Sequence, residues 1–173
     1  FKRMGTFRDA EREEMEHYEE HLRGVEKKTE VCGCQTCMDV EPTNDSIEQL
    51  IDRDAEWRKE LRTAMKPAER KAIERVQMPE LDPVYRATTR TEEVNKGLTK
   101  EMAIREAHRC LDCGKPACVE GCPVNINIPS FIKNIERGQF LAAAKVLKNT
   151  SALPAVCGRV CPQEKQCESK CIH

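Results

Sequence analysis

The residues best suited to chemistry are cysteines, eleven in a chain of 173. Eight of them fall into two groups near the C-terminal end. The first is Cys110-x2-Cys113-x4-Cys118-x3-Cys122-Pro123, and the second is Cys157-x3-Cys161-Pro162-x4-Cys167-x3-Cys171. Short cysteine spacings bring several thiolates within reach of one iron–sulfur cubane, whose irons each need one external ligand. In bacterial ferredoxins three close cysteines serve one cluster, and the cysteine before proline serves the other. The same logic makes Cys110, Cys113 and Cys118 a three-ligand nest and sends Cys122, turned away by Pro123, to the second group. Two four-cysteine zinc sites are the alternative, since zinc also uses CxxC. Zinc ribbons usually carry two CxxC knuckles, however, and only Cys110–Cys113 has that spacing here. The two Cys-Pro pairs also favour clusters.

Composition narrows the setting. No apolar h-region occurs in the charged stretch from Phe1 to Glu30, so no signal peptide is expected there. An odd cysteine count in a Lys- and Glu-rich chain does not read as a secreted disulfide scaffold. We therefore expect a reducing, cytoplasmic compartment and no membrane span. Net charge is −1, which supplies no basic field for nucleic acid. Charged residues make up 34% and aromatics 4%, too few large apolar side chains for a generous core. Metal clusters would relieve that shortage by tying segments together.

The elements that must position these thiols read as helices, because no convincing strand alternation appears. Met15, Tyr18, Leu22 and Val25 form a thin helical seam in a charged segment spanning 1–30. A Cys-containing linker and helix, 31–64, comes next. There Ser46 is expected to cap a helix whose apolar face is Ile47, Leu50, Ile51, Trp57 and Leu61. Pro67 sits in the first turn of a helix over Ala68 to Val76, and the stretch from Met78 to Pro83 is expected to be extended. Thr99 caps a helix over Lys100 to Leu111, with Ile104, Ala107 and Leu111 on one face. Pro129 opens a helix bearing Phe131, Ile132 and Ile135, stopped by Gly138. The last expected helix carries Phe140, Ala143, Ala144 and Leu147 at i, i+3, i+4 and i+7. The fold class is all-α with Cys-bearing loops.

The runs RCLDCGKPACVEGCPVNINIPSFI and LPAVCGRVCPQEKQCESKC resemble the N-terminal iron–sulfur domain of glutamate synthase small subunits. They are equally similar to the large subunit of NADH-dependent ferredoxin:NADP oxidoreductase, and dihydropyrimidine dehydrogenase shares a related domain. The resemblance implies a two-cluster domain over residues 65–173, with an α-helical ferredoxin fold and two [4Fe–4S] clusters. It implies that Cys110, Cys113, Cys118 and Cys171 hold one cluster, and that Cys122, Cys161 and Cys167 hold the other. The fourth ligand of the second cluster would be a Glu or Gln beyond Cys171, so that cluster is expected to be the more labile. Cys157 is a spare in this scheme, although spacing alone lets it ligate.

Relatives continue into FAD- and NAD(P)-binding domains. No GxGxxG occurs here, so FAD and NADPH are expected only in further domains of a longer polypeptide. The implied role is an electron-transfer module of an NAD(P)H-dependent flavoprotein oxidoreductase, relaying electrons between a flavin and a partner subunit. A zinc-stabilised interaction module without a redox role is the competing reading. Such a module is not expected to be catalytic alone.

Cys32, Cys34 and Cys37 form a further thiol group, which could ligate zinc, an additional cluster or nothing, zinc being preferred over iron; His17 and His21 could supply a fourth ligand, although on a charge-rich helix such residues more often face solvent. The first 30 residues resemble the tail of the flavin-bearing subunit that partners the oxidoreductase large subunit, which implies a fusion of the two. Trp57 reads as a packing residue. Arg109 and Arg159, each close to a cysteine in sequence, read as candidates for hydrogen bonding to a cluster or for the surface.

Overall fold

The computed structural model describes residues 43–173, so the expectations for the 1–30 helix and for Cys32, Cys34 and Cys37 fall outside the described residues. The described part forms one compact unit of short helices. In chain order these are α1 (Ile47–Ile51), α2 (Glu56–Ala64), α3 (Pro67–Ala72), α4 (Pro83–Arg86), α5 (Lys100–Ala107), α6 (Ala117–Glu120), α7 (Ile128–Glu136), α8 (Phe140–Lys148) and α9 (Pro154–Val160). Two 3-10 turns follow, Gln163–Lys165 and Glu168–Lys170. One antiparallel bridge, Glu80 with Asn95, is the sole extended pairing among the described residues. The chain is all-α, as its sequence predicts.

Capping explains several starts. Ser46 Oγ accepts a hydrogen bond from Gln49 N, and Gln49 Oε1 accepts one from Ser46 N, a reciprocal box that satisfies two orphan donors. Thr99 caps α5 and Asn127 caps α7. Gly138, at φ +80°, ends the α7 segment in a left-handed conformation that costs glycine little.

The helix expected from Ile47 through Leu61 is two helices. Asp52 leaves helical geometry, and its carboxylate accepts from Asp54 N at 2.8 Å, a local turn that competes with the helix ladder. The helix after Pro67 stops at Ala72, short of the expected Val76. Pro83 does not continue an extended stretch. Asp82 accepts from Val84 N and Tyr85 N, so Pro83 opens the single turn of α4. The helix from Lys100 ends at Ala107 rather than Leu111. Beyond it the carbonyls of His108 and Cys110 are drawn to Arg70 and Lys133, partners outside the helix.

The apolar core is small. Leu50 of α1 packs with Ala142 and Val146 of α8, flanked by Ile47, Ile51 and Phe131. The faces of α7 and α8 are rotated from the expected ones. On α8, Ala142, Ala143 and Val146 are buried while Ala144 is exposed. On α7 the buried side chains are Pro129, Ser130, Lys133, Asn134 and Glu136, mostly polar, whereas Phe131, Ile132 and Ile135 are half-buried. The polar face has work to do. Asn134 Nδ2 donates to Leu50 O at 3.3 Å, and Arg58 Nη1 donates to Ile51 O at 3.1 Å. These bonds satisfy carbonyls that the C-terminal end of a short helix leaves without partners.

Candidate metal centre

A buried layer of charge supports the Cys110–Cys113 loop. Asp112 lies between these two cysteines at φ +51°, a left-handed conformation that Asp tolerates better than most side chains. Its carboxylate is fully buried and receives Arg58 Nη2 at 2.6 Å, Arg58 Nε at 3.1 and 3.2 Å, and Arg62 Nη1 at 2.7 Å. Arg53 Nη2 donates to the Asp112 carbonyl at 3.2 Å. Burial pushes the Asp112 carboxyl up, but the hydrogen bonds from Arg58 and Arg62, with the charges of Arg58 and Lys133, outweigh it and hold the group below the ordinary carboxylate range.

A second set lies alongside. Arg70 Nη2 pairs with Glu136 at 2.9 Å, and Lys133, fully buried on α7, pairs with the other Glu136 oxygen. Lys133 Nζ also donates to the Cys110 carbonyl at 2.9 Å, while Arg70 Nη1 donates to His108 O at 2.7 Å and to Cys110 O at 3.4 Å. Arg58, Arg62, Arg70 and Lys133 face two carboxylates, Asp112 and Glu136, so two positive charges are in excess. Ion pairs this deep gain little net stability over an apolar packing of the same volume, but leaving one member unpaired costs much more. Their evident consequence is geometric: they clamp the backbone carrying Cys110 and Asp112.

All eight cysteines among the described residues are free thiols, seven half-buried and Cys171 exposed. Two of the positions expected in loops are helical, since Cys118 is on α6 and Cys157 on α9. Neighbourhoods separate the thiols into two sets. The Cys118 thiol is pushed up to about 11 by burial and by the nearby sulfurs of Cys110, Cys171 and Cys113. The Cys161 thiol is raised by desolvation and by Cys157, Cys122 and Cys167. Burial raises Cys110 and Cys167 as well, partly offset by backbone N–H donors: Asp112 toward Cys110, and Glu168 and Cys167 itself toward Cys167. Among the described residues no three His, Cys, Asp or Glu side chains converge tightly enough for one mononuclear ion.

Gly121 holds the second set together. A Cβ there would lie 2.9 Å from Gln166 O and from Lys170 Cγ, and 3.2 Å from Cys167 Cα. Only a glycine lets the end of α6, just before Cys122, close on the Cys167 segment. Asn125, at φ +52°, then redirects the chain from Pro123 toward α7.

Other positions singled out in the sequence lie elsewhere. Arg159 is on the surface, its guanidinium paired with Glu93 at 2.6 Å. Trp57 is half-buried with the Arg137 guanidinium stacked 4.0 Å above its ring, a cation–π contact. Sequence reading did not single out Arg58, Arg62, Arg70, Asp112, Lys133 or Glu136. A Lys and a Glu three residues apart on a helix normally mark a solvated face, so no local pattern pointed to them.

The donor set fits an iron–sulfur cluster. Eight free thiols gather in two neighbourhoods, and the layer beneath the Cys110–Cys113 loop carries excess positive charge that would balance thiolate.

Known proteins are similar to this chain over part of its length. The glutamate synthase [NADPH] small chain of Halomonas elongata is 40% identical over 95 residues, covering 55% of this chain and 20% of that protein. The corresponding Escherichia coli protein is 42% identical over 79 residues, 46% of this chain and 17% of that one. The Escherichia coli NAD-dependent dihydropyrimidine dehydrogenase subunit PreT is 41% identical over 82 residues, 47% of this chain and 20% of that one. The chain thus spans about a fifth of the length of these relatives. Residues 86–173, just over half the chain and including all eight clustered thiols, match the family described as dihydropyrimidine dehydrogenase domain II, 4Fe-4S cluster, and the chain belongs to that family.

Proposed function

We propose that this chain is a two-cluster electron-transfer module of an NAD(P)H-dependent flavoprotein oxidoreductase of the glutamate synthase small-subunit type. The observation that carries the reading is the division of eight free thiols into two neighbourhoods, the first of them beside a clamped, cation-rich layer. Cys110, Cys113, Cys118 and Cys171 would hold the first cluster. Cys122, Cys161 and Cys167 would hold the second, with Cys157 beside Cys161 as a non-ligating neighbour. When bound, such clusters accept and release single electrons at potentials set by net charge, hydrogen bonds to sulfur and solvent exposure.

The chain's own residues supply the rest. An oxidised cubane with four thiolates is a dianion, and the two excess positive charges beneath the Cys110–Cys113 loop match it. Lys133 and Arg70 hold the Cys110 carbonyl and so fix where its thiolate points. FAD and NADPH belong to further domains of the parent polypeptide, as the relatives' length suggests, with a redox partner subunit at the other end of the relay. On α9, Val156 and Val160 are exposed next to Cys157 and Cys161, an apolar surface suited to such a neighbour. A soluble, cytoplasmic setting agrees with this role; among the described residues no helix is long and apolar enough to cross a membrane.

Protein purified anaerobically should be brown, absorb broadly near roughly 400 nm, and contain about eight iron and about eight sulfide per chain. Cys171→Ser should remove one cluster's spectrum, and Cys157→Ser should leave both. Colourless protein carrying stoichiometric zinc would overturn the cluster reading. Equal loss from both substitutions would overturn the ligand assignment.

A further inference from the structure

Among the described residues one buried side-chain polar atom has no hydrogen-bond partner, Nε of Arg109. The rest of its guanidinium is engaged. Nη1 pairs with Glu106 of α5, and Nη2 lies 3.2 Å from Nδ1 of His173. Glu106 belongs to the segment that leads into Cys110, and His173 stands two residues after Cys171. The guanidinium is therefore pinned between the chain entering one thiol of the first set and the chain leaving another. The far ring nitrogen of His173 meets the Arg70 carbonyl at 3.1 Å, so the pin is tied to α3 as well.

A buried N–H without an acceptor forfeits its hydration with nothing in return, and native proteins rarely keep one. No oxygen, nitrogen or cysteine sulfur of the described residues meets this donor. Arg109 directly precedes Cys110, and the acceptors that a cluster held there would add are its sulfides. The geometry points to Arg109 as a positioning and tuning residue of the first cluster, its Nε–H donating to a sulfide of that cluster. A donor and a positive charge there stabilise the reduced, more negative cluster over the oxidised one, which raises its midpoint potential. This inference rests on the proposed sharing of one cluster by Cys110 and Cys171.

The test uses the full chain, loaded anaerobically, in wild-type, Arg109→Met and Arg109→Lys forms. The first cluster is identified as the one whose spectrum is lost in Cys171→Ser. EPR-monitored redox titration should show its midpoint potential lowered in Arg109→Met, at unchanged iron and sulfide content, with the second cluster unmoved. Arg109→Lys keeps the charge without the Nε donor and should fall between the two. Transfer to D2O should shift the first cluster's iron–sulfur Raman bands more in wild type than in Arg109→Lys. An unshifted potential in the fully loaded Met variant overturns the inference, as does an equal deuterium effect in wild type and Arg109→Lys. If Arg109→Met fails to load, the Lys variant alone decides through its potential and its Raman bands. Failure of the underlying ligand assignment shows separately, as survival of both clusters in Cys171→Ser.

Discussion

Replacing Asp112 by Asn removes one negative charge while keeping nearly the same shape. Asn also tolerates the left-handed backbone at φ +51°, so the substitution isolates the carboxylate. In the native protein this carboxylate is fully buried and takes four hydrogen-bond contacts from two guanidiniums. Arg62, one-fifth exposed, can turn to water when its partner weakens. Arg58 cannot: its side chain is 3% exposed, and it would keep only Ile51 O and Ser130 Oγ as acceptors. Breaking one side of a buried ion pair costs about 3–5 kcal/mol. Asn still accepts one bond, so the lower end, about 3 kcal/mol, is expected. With a urea slope of roughly 2 kcal/mol per molar, the unfolding midpoint should fall by about 1.5 M. Trp57, the single tryptophan, adjoins Arg58 in α2 and reports the transition by fluorescence. Asp112→Ala should cost about 1 kcal/mol more, because Ala adopts the left-handed region less readily. The pH dependence follows from the lowered carboxyl. A carboxyl whose folded pKa lies below its unfolded value stabilises above that unfolded value, near about 4, and the contribution disappears as pH falls through the folded pKa. Wild type and Asp112→Asn should therefore differ by a constant amount from about pH 8 to pH 5 and converge below about pH 4. A midpoint for Asp112→Asn within about 0.3 M of wild type at pH 7 would show that the buried pair does not hold the loop.

Gly121→Ala places a methyl group 2.9 Å from the Gln166 carbonyl, a backbone atom that cannot swing aside. A loss of about 1–3 kcal/mol is expected, and the cluster proposed for Cys122 and Cys167 should load less iron than the other one proposed, as read by metal analysis and EPR. Leu50→Ala opens a hole in a core with few other large apolar side chains, since Leu50 is fully buried against Ala142 and Val146. It should cost about 2–5 kcal/mol in urea unfolding, and a change below 1 kcal/mol would mean that α1 does not anchor α8.

Membership of an iron–sulfur family was legible in the sequence, because thiol chemistry is written in short spacings. Cys110-x2-Cys113-x4-Cys118 and the two Cys-Pro pairs announce cluster ligation whatever the surrounding fold does. Helix starts were legible for a similar reason: Ser46, Thr99 and Pro129 act within one turn of themselves. Helix ends were less so. Where the helix from Lys100 stops depends on Arg70 and Lys133 reaching the carbonyls of His108 and Cys110 from distant parts of the chain.

Burial of charge was the least legible feature. The periodicity of α7 assigns Phe131, Ile132 and Ile135 to its inner face, yet Ser130, Lys133 and Asn134 are the fully buried side chains. A hydrophobic pattern assumes that polar groups prefer water, and that assumption fails where each polar group has a specific partner. Those partners lie far off in sequence, 54 residues between Arg58 and Asp112 and 66 between Arg70 and Glu136. What the sequence determined by itself was the ligand chemistry and the helical class, both carried by near neighbours. The tertiary structure decided which charges go inside and which backbone they clamp, because only folding brings the partners within hydrogen-bonding distance.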